Sequence, residues 1–283
     1  MFDLFVKTAA DCSKNVTQAY STSFSLGIKS LHKRFHAPIY GIYGMVRYAD
    51  EIVDTFHEFD KKKLFIKFKD DTYDAIESCI SLNPILFSFQ KVVSDYNIPN
   101  DLIEAFFKSM EMDLYQSAYN RSGYEEYIYG SAEVVGLMCL KVFVEGDETA
   151  YERLKQPARA LGAAFQKINF LRDMNTDNSD LGRVYFPGID FKYFGNQAKK
   201  QIEKEIASDF QSAYLGIISL PKGARDGVML AYLYYMKLFH NIERTSAEKL
   251  KKSRIRVSDS VKVLIFLNSI IRRRLNYLLP ATS

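Results

Sequence analysis

Two stretches of this chain carry carboxylates at helical spacing beside amide and guanidinium side chains. In Tyr43-Gly-Met-Val-Arg47-Tyr-Ala-Asp50-Glu51-Ile-Val-Asp54, steps of 4, 3 and 4 residues put Tyr43, Arg47, Asp50 and Asp54 on one helix face. In Gln166-Lys-Ile-Asn169-Phe-Leu-Arg172-Asp173-Met-Asn-Thr-Asp177, steps of 3, 4 and 4 do the same for Gln166, Asn169, Asp173 and Asp177, with Arg172 close by. Aspartates one turn apart share hard cations through oxygen, as Mg²⁺ requires. An arginine one turn earlier adds a bidentate phosphate donor. Two such faces opposed across a bundle would hold several Mg²⁺ ions against a diphosphate and help it leave.

A single Asp-x-x-x-Asp is ordinarily a solvated helix face. Duplication changes the reading, because both pairs sit in strongly apolar helices. Four facing carboxylates without cations would repel, so either both faces meet solvent or metal lies between them. The apolar flanks Ile42, Met45, Val46, Ala49 and Val53 favour metal. Glu51 is expected to point to a different face.

Helices must position these groups. Long stretches show 3.6-residue apolar periodicity, and only 14 Gly and 7 Pro interrupt 283 residues, which predicts an all-α chain. Helices are predicted at about 4–20, 22–31, 37–59, 61–79, 83–95, 100–120, 123–145, 148–177, 197–218, 222–249 and 258–278. Pro157 is expected to mark a kink or a local helix start. Residues 178–195 are predicted as a loop long enough to be functional. No repeat or Gly/Ser linker divides the chain, so residues 1–283 read as a single domain.

Composition excludes several classes. A net charge of +4 is too slight to argue for nucleic acid. Cys12, Cys79 and Cys139 are far apart and form no CxxC, which argues against a disulfide framework or a zinc site and for a reducing cytoplasm. The histidines show no ligand spacing. There is no run of 18 apolar residues and no signal-peptide layout, so no spanning helix is expected. The basic runs at 249–256 and 272–274 suggest peripheral contact with anionic lipid, at the inner face of the membrane. No Gly-x-Gly-x-x-Gly occurs, so no nicotinamide reductant such as NADPH is expected.

Four elements together resemble the squalene/phytoene synthase family: Tyr20-Ser-Thr-Ser-Phe24; Arg47-Tyr-Ala-Asp50 through Asp54; Tyr127-Ile-Tyr-Gly-Ser-Ala-Glu-Val-Val-Gly136; and Gln166 through Asp177 followed by Gly182-Arg183-Val-Tyr185-Phe-Pro187. They occur in the family's order over residues 20–257. The resemblance implies an isoprenoid-synthase helical bundle around a central cavity, with two prenyl diphosphate sites and a Mg²⁺ cluster. It implies Asp50, Asp54, Asn169 and Asp173 as metal ligands, with Asp177 a further one. Tyr20, Ser21, Thr22, Ser23, Tyr43, Arg47, Gln166, Arg172 and Tyr235 would contact substrate or its diphosphates. Tyr127 would handle protons or cations near the reacting carbons, and Arg183, Tyr185 and Arg254 would flank diphosphate.

The implied reaction is head-to-head condensation through a cyclopropylcarbinyl diphosphate, with phytoene from two geranylgeranyl diphosphates as the expected product. Dehydrosqualene or squalene from two farnesyl diphosphates is the alternative. A non-catalytic assembly factor of the same fold, or a one-substrate terpene cyclase, is the competing class. The sequence departs from the family where Thr22 replaces a frequent Lys or Arg, where Thr176 replaces a frequent acid, and where Glu133 replaces a glycine. Glu133 is expected to face away from Tyr127 and pair with a neighbouring Arg, Lys or Tyr, while Ser131 shares the Tyr127 face.

Overall fold

The computed structural model describes residues 1–115, 119–180, 185–187, 193–258, 260–262 and 264–268, with 176–180 described as backbone only. Among the described residues the apolar periodicity becomes the helices α1 Phe2–Tyr20, α2 Thr22–Ser30, α3 His36–Asp54, α4 Lys61–Ser78, α5 Pro84–Tyr96, α6 Asn100–Tyr115, α7 Arg121–Ile128, α8 Val134–Val144, α9 Glu148–Asp180, α10 Asn196–Ser219, α11 Lys222–Glu243 and α12 Ala247–Leu250. No strand occurs among the described residues. Residues 260–262 and 264–268 are also helical. The buried side chains form two clusters. One gathers α2, α3, α5, α6 and α8 around Phe35, Met45 and Phe106. The other joins α7, α9, α10 and α11 around Tyr127, Ile168 and Phe239.

Local chemistry moves several predicted boundaries. The helix expected over 37–59 ends at Asp54, because Asp60 caps a new helix by accepting from the Lys63 N–H at 3.0 Å. Lys61 then donates to the Val53 carbonyl at 2.9 Å, placing a cation on the C-terminus of α3. The helix expected over 222–249 stops at Glu243, and Ser246 starts α12. Pro157 does not begin a helix. It lies inside α9, which runs unbroken from Glu148, and its ring packs against Gly216 of α10, where any side chain would collide with it.

The helix expected over 123–145 contains a π turn at Tyr129–Glu133. Periodicity does not reveal it, since one extra residue in a single turn barely disturbs the apolar pattern. Glycines let backbones meet there. A Cβ on Gly162 would lie 2.6 Å from the Ala132 carbonyl, and one on Gly130 would collide with that of Ala105. The run Arg121–Val144 is long and apolar enough to cross a membrane, although no unbroken stretch of 18 apolar residues lies within it. Its most apolar window is 61% buried against other helices, the situation of a core helix.

Candidate active site

A cavity of about 360 Å³ runs between α2, α3, α8, α9, α10 and α11, within the range of small-molecule sites. Its lining changes character along three helices in the same sense. On α3, Ile39 and Ile42 give way to Tyr43, Arg47 and Asp50; on α9, Leu154, Pro157 and Leu161 give way to Phe165, Gln166 and Asn169; on α11, Val228 and Ala231 give way to Tyr235. The lining stripe on α9 runs from Leu154 to Asn169, about 22 Å at 1.5 Å per residue. A long apolar cavity with one polar end suits an extended amphiphile.

The polar end is wired in pairs. Arg47 binds Asp50 through one nitrogen and Glu51 through another. Glu51 is buried and takes part, contrary to the expectation that it points elsewhere. The Arg47 Nε is buried without a hydrogen-bond acceptor, and its guanidinium lies 4.4 Å from the Tyr20 ring centre. One turn beyond Asn169 on α9, outside the cavity wall, Asp173 accepts from Arg172 Nη2 at 2.5 Å and meets Arg254 Nε at 2.7 Å. Arg254, from a basic run that reads as a solvated face, thus reaches the second aspartate motif. Asn169 Nδ2 lies 3.4 Å from Gln166 Oε1, while its Oδ1 accepts from Tyr235 at 3.3 Å. Tyr235 stacks on Phe165 with 3.7 Å between ring centres, and burial pushes its phenol pKa up. The Tyr43 phenol rises to about 12, chiefly through burial, and it hydrogen-bonds Ser21.

The remaining sequence-derived residues divide. Ser21 also caps α2, accepting from the Phe24 N–H at 3.2 Å. Thr22 is exposed and Ser23 half-buried, and neither lines the cavity. Asp54 is half-buried at the last turn of α3, outside the cavity wall. The Asp177 side chain, Arg183 and the Arg272–Arg274 run lie outside the described residues. Among the described residues no group of three or more His, Cys, Asp and Glu side chains stands ready for a metal. Asp50 and Asp173 are instead balanced by arginines.

Asp113 is a site residue that sequence reasoning missed. It accepts from Tyr127 at 2.7 Å, Tyr119 at 3.3 Å and Tyr185 at 3.5 Å. Tyr185 belongs to this aromatic box, stacked on Phe170 at 4.1 Å, and does not line the cavity. Tyr127 does line it, and burial, then the Asp113 charge, hold its phenol well above the ordinary range. Its proton is donated to Asp113, which leaves the Tyr127 oxygen lone pairs able to accept. No spacing signals Asp113, since its partners lie 6, 14 and 72 residues away.

Glu133 pairs with Arg159 at 2.6 Å, away from the Tyr127 hydroxyl. Burial raises its pKa and the Arg159 charge opposes the rise. Ser131 lines the cavity alongside Tyr127, and its hydroxyl is buried without a partner.

Residues 17–260 match the model of the squalene/phytoene synthase family. Over 287 residues the chain is 29% identical to a chloroplastic phytoene synthase of an Oncidium hybrid cultivar, covering 90% of this chain and 66% of that one. It is also 29% identical over 181 residues to a presqualene diphosphate synthase of Sinorhizobium fredii, covering 63% of each. The first curated relatives are longer, and the matches span 62% and 66% of the phytoene synthases from maize and Oncidium. Among solved structures, a dehydrosqualene synthase with bound ligand superposes with a TM-score of 0.80 at 20% identity, over 95% of this chain and 98% of that one. A squalene synthase from Alicyclobacillus acidocaldarius gives 0.73 at 18% identity, over 84% and 94%. The matched region holds the cavity and both aspartate motifs, and the chain belongs to the squalene/phytoene synthase family.

Proposed function

We propose that this chain condenses two prenyl diphosphates head to head, taking two geranylgeranyl diphosphates to phytoene. The observation that carries this reading is the polar end of the cavity. The buried Arg47 Nε has no acceptor there, beside the oxygen donors Asp50, Gln166 and Asn169 and above a long apolar wall. An anion with a hydrocarbon tail satisfies both halves. The phytoene synthase relatives support the C20 substrate.

One diphosphate departs, and C1 of the resulting allylic cation is attacked by the double bond of the second molecule. Proton loss gives a cyclopropylcarbinyl diphosphate. Departure of the second diphosphate, ring rearrangement and a further proton loss give a C1–C1′ linked triene, with no net redox change and no reductant. Arg47, Arg172 and Arg254, now held by Asp50, Glu51 and Asp173, can turn their N–H groups to phosphate oxygens. The Tyr127 oxygen faces the developing cation, and the Phe165 and Tyr235 ring faces add quadrupole attraction. The apolar walls exclude the water that would quench a cation. Asp50, Asp54, Asn169 and Asp173 offer the oxygen donors that Mg²⁺ takes and would hold it once the arginines turn to phosphate, and the family resemblance adds Asp177 as a further ligand. Held there, Mg²⁺ would supply the positive charge that neutralises a diphosphate leaving group.

The presqualene diphosphate synthase relative supports a second reading, in which two farnesyl diphosphates give a C30 product. Purified protein incubated with Mg²⁺ and each prenyl diphosphate, with and without NADPH, separates the two by product carbon number. A C40 triene without reductant is expected. A C30 product moves the assignment to farnesyl diphosphate. Absence of product from every prenyl diphosphate would overturn the synthase reading in favour of a non-catalytic member of the fold.

A further inference from the structure

The start of α4 carries more positive charge than its folding contacts use. Lys61, Lys62 and Lys63 form its first turn, where the helix dipole disfavours cations, and no acidic residue stands in that turn. Lys67 and Lys69 follow, so five lysines fall within nine residues, against Glu58 and Asp60 just before them and Asp70, Asp71 and Asp74 just after. Lys67 is held by Asp71 at 2.8 Å and Lys61 by the Val53 carbonyl. Lys62 and Lys63 are exposed, and the Lys62 ammonium lies 4.4 Å over the Tyr115 ring instead of on a carboxylate. Large apolar side chains stand out among these cations: Phe59 is 65% exposed, Ile66 52% and Leu64 37%.

This surface adjoins the polar end of the cavity. The Lys61–Val53 bond ties it to the residue before Asp54, and Tyr115 lies two positions beyond Asp113. We propose that Phe59 and the first turns of α4 dock the protein on an anionic lipid surface. The proposal rests on the synthase reading, because a prenyl diphosphate lying in a bilayer holds its diphosphate at headgroup level. Lys62 and Lys63 meet lipid phosphates while Phe59, Leu64 and Ile66 enter the acyl boundary. A nucleic acid would use the lysines but has no place for exposed Leu and Ile. The C-terminal basic run is a weaker anchor, since Arg254 is held by Asp173 and Lys251 by Glu248.

The chain has no Trp, so Phe59→Trp creates a single fluorescent reporter at the proposed contact. Its emission is expected to shift to the blue with phosphatidylcholine vesicles containing phosphatidylglycerol, and to stay unchanged with pure phosphatidylcholine or a single-stranded RNA oligonucleotide. The pair Lys62→Gln and Lys63→Gln should weaken partition onto anionic vesicles about thirtyfold at low salt, from two lysine–surface attractions. Ile66→Ser in the otherwise native chain should remove the binding that survives high salt. These positions are exposed, and unchanged melting of each variant verifies folding. Turnover of detergent-dispersed substrate reports the synthase reading separately and should remain at the native level. Flotation of the Phe59→Trp protein without a blue shift, or unchanged partition of the double lysine variant, would place docking elsewhere and overturn the proposal. A native chain that binds RNA but not anionic vesicles would overturn it too.

Discussion

Replacing Asp113 by Asn keeps the shape of the side chain and removes the charge that three phenols share. In the native site both oxygens accept, Oδ2 from Tyr127 and Oδ1 from Tyr119 and Tyr185. Asparagine has one acceptor and one donor group. If its oxygen stays with Tyr119 and Tyr185, its NH₂ faces Tyr127, which must reverse from donor to acceptor. A phenol lone pair is then occupied, and the phenol proton is released from Asp113 to point elsewhere. A hydrogen bond to a charged group contributes about 1.5–3 kcal/mol. If its orienting effect is realised in the transition state, turnover should fall by about 10- to 150-fold. Folding should weaken by about 1–3 kcal/mol from the same loss. Single-turnover kinetics of triene formation, with thermal unfolding measured alongside, separates the two effects. Tyr127→Phe should reproduce the kinetic loss and leave Asp113 with its other phenols. Native turnover for Asp113→Asn alongside a deep loss for Tyr127→Phe would refute the orienting role. A lowered melting temperature with unchanged kinetics would reduce Asp113 to a structural carboxylate.

Asp50→Asn or Asp173→Asn should abolish turnover while helical circular dichroism stays near native, because each sits among polar partners instead of core apolar groups; near-normal product formation with Mg²⁺ would remove that residue from the ligand set. Glu133→Gln should lower turnover less than tenfold and cost about 1 kcal/mol of stability, since Arg159 is a third exposed and solvent screens the loss. A kinetic loss as deep as that of Asp50→Asn, in a protein that melts normally, would draw Glu133 into the chemistry. Cys139 lines the cavity and burial raises its thiol pKa to about 12. At pH 8 only about one molecule in ten thousand carries the thiolate there, with reactivity rising tenfold per pH unit while the fold holds. Mass spectrometry after iodoacetamide at pH 8 should find Cys79, which is exposed, labelled far ahead of Cys139; comparable labelling would contradict the buried environment.

Spacing alone grouped the residues of each motif that line the cavity, although Asp54 and Asp173 stand outside its wall, because a helix converts steps of three and four into one direction regardless of what surrounds it. Tyr43, Arg47 and Asp50, like Gln166 and Asn169, line the cavity as that geometry requires. The all-helical class was legible for a related reason, since apolar periodicity is set residue by residue. Helix ends followed less closely, because caps such as Asp60 depend on single hydrogen bonds that periodicity does not contain. What only the tertiary structure decided is how separate helices meet. Asp113 gains its role from tyrosines on other elements, and Arg254 reaches Asp173 from 81 positions away. Glu51, read as facing elsewhere, shares Arg47 with Asp50 because a guanidinium is long enough to bridge two helix faces. The π turn that sets Ser131 beside Tyr127 and Glu133 beside Arg159 is held by close backbone contacts at Gly130 and Gly162. Such contacts between helices leave no period in the chain, so they exist only once the helices have packed.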